Sequence, residues 1–434
     1  MYVCRLNFHF MLNRTIAPAI VDAVNFNLQL QPYQKYVLRN GIEVYAIDAG
    51  SEEVLQIEWV FNAGNWFEEK NLEAGVTNFL LKNGTTSKTA FEINDHFEYY
   101  GAYLNRNSGS EYSSVTLHCL SKHIEKLLPV VRDIFSESTL LQSEMDIAIQ
   151  NMKQKLDVNL KKSSFVAGRL IDTYLFGEQH PYGQFSRHED FDALTREGLL
   201  NFYQQYYKKG QFKIFVAGKL PASIETLLDQ YFGDFDNLAP ANRQHIITPD
   251  LQKKHRVIND EKSAQGSIRI ARPFENRHHP DFLKAQVLNV VLGGFFGSRL
   301  MDNIREEKGY TYGIHSYLMG NKRENGWMIT TEAGRDVSEA TINEVYKEME
   351  ILRDEAVDEE ELMLVKNFMM GSILGDLDGP FQMIARWKNI ILNDLDNEFF
   401  NRYISNIKNI TAAELQETAN KYLLPEDFYE LVVV

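Results

Sequence analysis

The sequence predicts an α+β protein of two homologous halves, each a mostly antiparallel sheet with helices packed on one face. Two observations carry this. First, Thr195 through Val216 aligns without gaps to Thr411 through Val432, an offset of 216 that pairs Leu199 with Leu415, Tyr206 with Tyr422 and Phe212 with Phe428. Each copy reads as a Thr N-cap, an amphipathic helix, a short turn and an apolar strand. The same offset carries Ser143-Glu144 and the helix to Asn151 onto Glu359-Glu360 and the helix to Asn367. One register shared by two separated segments points to duplication rather than to chance similarity of helix-turn-strand units. Second, strands come mixed with paired helices, which favours layered α+β packing over a parallel βαβ sheet.

In chain order, Lys35–Asp48 alternates around an Asn40-Gly41 turn, and Leu55–Asn62 and Ser113–Cys119 read as further strands. Helices are expected at Asn71–Leu81, Glu92–Tyr99, Ile124–Phe135 and Ser143–Leu160. The second half repeats strand, long helix, two strands, further helices and a closing strand. The expected divisions are an extension at 1–29, a first half at 30–240, a linker at 241–254 and a second half at 255–434. The linker lies in a polar stretch that holds Pro240 and Pro249 and has no periodic pattern.

Composition narrows the function classes. The chain has 434 residues, 44% hydrophobic and 24% charged, which suits two to four compact units with cores of their own. A net charge of -15 argues against nucleic acid as a partner, because that role needs clustered Lys and Arg. No apolar run reaches the roughly 18 residues that cross a bilayer, so no membrane is expected. The segment Met1 to Phe10 does not read as a secretion signal, and Met11 is a candidate start. With Cys4 and Cys119 the only cysteines, a disulfide framework is excluded and a reducing, cytoplasmic setting is expected.

Two segments carry a resemblance. One is the helix from Gly75 to the Gly84-Thr85 turn. The other is Leu292-Gly293-Gly294-Phe295-Phe296-Gly297-Ser298-Arg299-Leu300, followed by Ile304-Arg305-Glu306-Glu307-Lys308-Gly309-Tyr310-Thr311-Tyr312. With the duplicated halves, these resemble the pitrilysin/insulinase family of zinc peptidases, in particular its processing-peptidase-like members. The resemblance spans about 35 to 434 and is most specific in the second segment.

Active members of that family carry His-x-x-Glu-His on the first helix of the first half. The histidines bind zinc, the glutamate between them is the general base, and a glutamate on a later helix completes the ligand set. Such a site lowers the pKa of a zinc-bound water. Counted from Gly75, the ligand positions fall on Asn78 and Lys82 and the base position on Leu81. Counted back from Gly84-Thr85, the segment being about three residues short, they fall on Gly75, Asn78 and Phe79. The later carboxylate falls near Gln150-Asn151. No register yields a zinc ligand, and a lysine there repels a cation. His96, His118, His123, His180, His188 and His278-His279 are scattered, and none sits at helical metal spacing with a carboxylate.

By residue chemistry alone, Arg305 to Lys308 is a charged helix end, Gly309 a C-cap, and Tyr310 and Tyr312 open a strand. Exposed charge runs of this kind are usually solvated faces. The resemblance implies more. In related two-chain enzymes the chain without the zinc motif supplies an Arg and a Tyr at this spacing, and they bind substrate carbonyls in a shared cavity. Arg305 and Tyr312 match those positions. Tyr310 does not, although strand alternation puts it on the same face as Tyr312. A guanidinium and a phenol are donors suited to peptide oxygens. Gly293, Gly294 and Gly297 are expected to form a tight turn between helices, and Arg299 a surface or interface position.

The resemblance therefore implies a non-catalytic, peptide-binding subunit of a zinc metalloendopeptidase. Its substrate would be an unfolded peptide added to a sheet edge. Its partner would be a homologous chain that carries the zinc motif, or a second copy of itself. This chain would bind no cofactor, and zinc would sit in the partner. A structural scaffold, a homodimeric peptide binder without activity, and a self-sufficient enzyme with an unusual metal site are the alternatives.

Overall fold

The computed structural model describes residues 21–434. Cys4, the candidate start at Met11 and most of the extension expected at 1–29 lie outside the described residues. The first half opens with a hairpin. Strands β1 (Gln34–Val37) and β2 (Glu43–Asp48) pair antiparallel across Asn40-Gly41, where Gly41 takes φ +88°. The turn expected at Asn40-Gly41 within Lys35–Asp48 is the one that joins them. There follow β3 (Val54–Phe61), α1 (Glu73–Leu80), α2 (Ala90–Tyr99), β4 (Tyr103–Ser108) and β5 (Ser113–Leu120). Helices α3 (Ile124–Glu137), α4 (Gln142–Leu160), α5 (Ser163–Phe176), α6 (His188–Ala193) and α7 (Arg196–Tyr203) lead to β6 (Phe212–Gly218) and α8 (Ile224–Phe232).

After a run without regular structure, the second half comprises β7 (Lys254–Val257), β8 (Gln265–Phe274), α9 (Phe282–Asn289), β9 (Thr311–Leu318) and β10 (Asn325–Gly334). It closes with α10 (Ser338–Asp354), α11 (Glu359–Gly375), α12 (Pro380–Leu392), α13 (Phe399–Asn409), α14 (Ala412–Tyr422) and β11 (Tyr429–Val433). Among the described residues no helix is long and apolar enough to cross a membrane.

The sheets show the duplication directly. The first has the order β1-β2-β6-β3-β5-β4 and the second β7-β11-β8-β10-β9. In each, the closing strand slips between the first strand of the repeat and the next, parallel to the former and antiparallel to the latter. All other pairings are antiparallel. The repeated helices start alike: Thr195 Oγ1 accepts from Gly198 N–H at 3.1 Å, and Thr411 Oγ1 from Glu414 N–H at 3.2 Å. Such a cap stabilises a helix by about 1 kcal/mol.

The halves are locked by an exchange of helices. Helix α5 lies on β8 and β11 of the second sheet, and its repeat counterpart α12 lies on β2 and β6 of the first. Each sheet therefore has its own helices on one face and a helix of the other half on the opposite face. The physical reason is in the strands. Tyr45, Ile47, Val60, Phe215 and Ala217 are apolar residues on the second face of the first sheet, buried with Ile384 and Trp387 of α12. A strand apolar on both sides needs cover on both. A strap ahead of β1 adds a further tie. Val24 N–H donates to Asn367 Oδ1 (3.0 Å), Trp387 Nε1 donates to the Gln31 carbonyl (2.7 Å), and Leu28 is buried in the second core.

Candidate functional site

Helix α1 begins at a carboxylate. Glu68 accepts from Leu72 N–H (3.2 Å) and Ala74 N–H (3.1 Å), and its burial pushes its pKa up to about 8. Val76, Thr77 and Leu80 face the core. The opposite face of the helix, Gly75, Asn78, Phe79 and Lys82, lines a cavity of about 400 Å³ with Asn105, Arg106 and Asn107 of β4 and Met152 of α4. Both ways of counting the motif thus meet at this cavity, except that Leu81 is wholly buried in the core and takes no part. Gln150 and Asn151 are exposed and do not line it. The residue of α4 that lines it is the neighbouring Met152.

These residues do not fit zinc. Asn78 is buried and donates from Nδ2 to Tyr207 Oη at 3.1 Å. The rest of the face is glycine, phenyl and ammonium, and the α4 residue facing it is the thioether Met152. Zinc takes imidazole, thiolate or carboxylate. Among the described residues no three His, Cys, Asp or Glu side chains gather in a group that would hold a metal. Arg106 adds a second positive charge. It donates to the Phe79 carbonyl and stands 5.1 Å from the Phe79 ring. Burial pushes its pKa down to about 10, and burial together with Arg106 pushes Lys82 down.

Arg106 was missed by the sequence reading because β4 was. Its Asn-Arg-Asn-Ser run is polar and lacks β-branched residues. The alternation of Leu104, Arg106 and Ser108 after Gly101 was the available signal.

The second corner is built around a π-helical turn, Met301–Glu307. Asn303 Nδ2 anchors it to α10 through Glu344 (3.0 Å) and Glu348 (2.6 Å). Gly309, at φ +65°, turns the chain into β9. Arg305 is half-buried between two rings, 4.6 Å from the centroid of Phe296 and 5.3 Å from that of Tyr312. Among the described residues Glu306 is the carboxylate within 4 Å of it, at 3.4 Å. Tyr312 is 91% exposed on β9, the outer strand of its sheet.

A β-bulge aims Tyr312. Ile314 pairs with Thr331 and Thr311 with Ala333, so Tyr312 and Gly313 together oppose Glu332. Thr311 Oγ1 donates to the Glu332 carbonyl (2.7 Å) and accepts from Gly313 N–H (3.1 Å), and Thr331 Oγ1 donates to the Gly313 carbonyl (2.9 Å). Tyr310 lies before the strand, in the turn where its N–H donates to the Ile304 carbonyl at 3.0 Å. Tyr310 packs into the second core while Tyr312 stands in solvent, so the expectation that they share a face does not hold.

The glycine turn has a specific cause. A Cβ on Gly293 would lie 2.7 Å from Ser316 Cβ on β9, so the chain passes the strand too closely for a side chain. Arg299 is not a surface position. It forms a bidentate pair with Glu361 of α11, both bonds 2.8 Å, and its side chain is 17% exposed.

Two matched halves of duplicated α+β design thus carry a two-cation cavity in one and an Arg–Tyr corner in the other. Comparison with known proteins gives the family. Residues 44–179 match the model of the insulinase family (peptidase family M16), and residues 193–369 match that of the peptidase M16 inactive domain. The chain belongs to the M16, or insulinase, peptidase family.

An uncharacterized zinc protease of Bacillus subtilis, YmxG, is 22% identical over 81% of this chain and 86% of its own length. Subunit 1 of the mitochondrial cytochrome b-c1 complex of Caenorhabditis elegans is 20% identical over 90% of this chain and 85% of its own. The crystal structure of a peptidase M16 inactive domain from Pseudomonas fluorescens superposes with a TM-score of 0.83, at 21% identity, over 92% of this chain and 98% of that one.

Proposed function

We propose that the chain is the non-catalytic, peptide-binding subunit of a zinc-dependent metalloendopeptidase. Its partner is a homologous chain that holds the zinc, or a second copy of itself where no zinc chain is present. The observation that carries this reading is the contrast between the corners. The face where the family places its metal offers an amide, a phenyl and an ammonium, whereas Arg305 and Tyr312 stand together at an open sheet edge. Their donors suit the carbonyl oxygens of an extended peptide added to β9. In a chamber shared with the partner they would orient the carbonyl that the partner's site attacks, and such donors act most strongly where water is excluded.

The test is reconstitution with a homologue that carries His-x-x-Glu-His. The mixed complex is expected to cut an unfolded peptide, and Arg305→Ala or Tyr312→Phe to slow it without loss of association. Zinc-dependent cleavage by the purified single chain would overturn the reading. The similarity to a cytochrome b-c1 subunit across 90% of the chain favours one alternative, a structural scaffold. Unchanged cleavage in the Arg305→Ala complex would decide for it.

A further inference from the structure

We infer that the cavity beside the lost metal position is a carboxylate site: an Asp or Glu side chain of a bound peptide sits between Lys82 and Arg106. The inference rests on the peptide-binding reading above and names the substrate class, an acidic peptide segment.

The lining carries two cations and no carboxylate, in a protein of net charge -15. Among the described residues neither Lys82 nor Arg106 forms an ion pair within 4 Å. Glu98, outside the lining, is the acid that acts on Lys82, and Arg106 acts against it. Both cations are partly withdrawn from water, which disfavours their charged forms. Arg106 is held by the Phe79 carbonyl and ring, but nothing in the lining offsets the repulsion between two like charges in a half-dry cavity. A carboxylate entering between them offsets it.

The neighbours fit such a guest. Asn105, Asn107 and Ser108 add amide and hydroxyl donors on the same strand. Arg106 is fixed by the Phe79 carbonyl and ring, so its planar fork is already ordered. Strand β4 is the outer strand of its sheet, so a peptide can pair with its free edge while an acidic side chain enters the cavity.

The experiment uses the full chain and two unstructured peptides of equal length, one with two central Glu residues and the other with Gln in their place. Fluorescence anisotropy is expected to show about tenfold tighter binding of the acidic peptide, the worth of a charge-assisted hydrogen bond. The preference should shrink as salt rises. Lys82→Met and Arg106→Met, alone and together, should lower acidic-peptide affinity to that of the Gln peptide and leave the latter unchanged, with melting curves showing the fold intact. Arg305→Ala should weaken both peptides alike and keep their ratio. Equal affinity for the two peptides, or a preference that survives both methionine variants, overturns the carboxylate site while peptide binding stands. Failure of both peptides to bind overturns the two readings together.

Discussion

Strands β4 and β9 hold the same place in their sheets, each at the outer edge beside β5 and β10 respectively. Each is entered through a left-handed glycine, Gly101 at φ +60° and Gly309 at φ +65°. The corners beside them have nonetheless diverged. In the first half α1 and β4 leave a cavity open, with Met152 as one wall and two cations in its lining. In the second, the residue 216 positions after Met152 is Phe368, which stacks on Phe295 at 4.6 Å, and the exposed Phe296 and Tyr312 flank the half-buried Arg305. Duplication kept the backbone and the turn and changed the side chains that meet at the corner. What separates the halves is chemistry rather than architecture.

The comparison can be broken most severely at Arg305. If the second corner supplies the grip, Arg305→Ala should lower kcat/KM of a reconstituted complex about 100-fold, the loss seen when one transition-state donor is removed, with an unchanged melting temperature. Lys82→Met should leave kcat/KM on a neutral peptide unaltered. Next comes Gly293→Ala, which drives a methyl against Ser316 and should cost about 2 kcal/mol of unfolding free energy in a urea titration. Gly75→Ala, facing open space within 4 Å, should not.

Glu68 sharpens the contrast through pH. Its folded pKa stands at about 8, above the ordinary 4.5, so the folded state holds a proton that the unfolded state releases. That stabilisation is fully present below 4.5 and is lost as pH rises through 8. Unfolding free energy should fall by up to about 1.4 kcal/mol per pH unit across this window, and Glu68→Gln should flatten the slope. The smallest effect is expected at the bulge. Thr311→Val removes a hydroxyl that bridges two backbone groups and should cost about 1 kcal/mol, while loosening the aim of Tyr312 enough to raise KM in the mixed complex.

Much of this was readable from the chain. Thr195 and Thr411 mark helix starts because a hydroxyl one residue ahead of an apolar period has one good use, capping. The offset of 216 survived as matching strand insertions in the two sheets. Other features were out of reach. Met152 rather than Gln150 or Asn151 faces the cavity because the phase of α4 is set by what it packs on. Tyr312 and Tyr310 part because Tyr310 belongs to the turn that closes on the Ile304 carbonyl, and only Tyr312 belongs to β9. Arg299 is tied to Glu361, 62 residues on, a pairing no local pattern announces.

The sequence alone determined the duplicated α+β design, the helix starts and turns, and the absence of metal-type side chains at the motif positions of the first helix, because these depend on local periodicity and residue chemistry. The tertiary structure decided the exchange of α5 and α12, the bulge that presents Tyr312 and the meeting of Lys82 with Arg106. Each of these is a contact between segments far apart in the chain. Its existence depends on how whole sheets and helices share their apolar faces, and that is settled only when they pack.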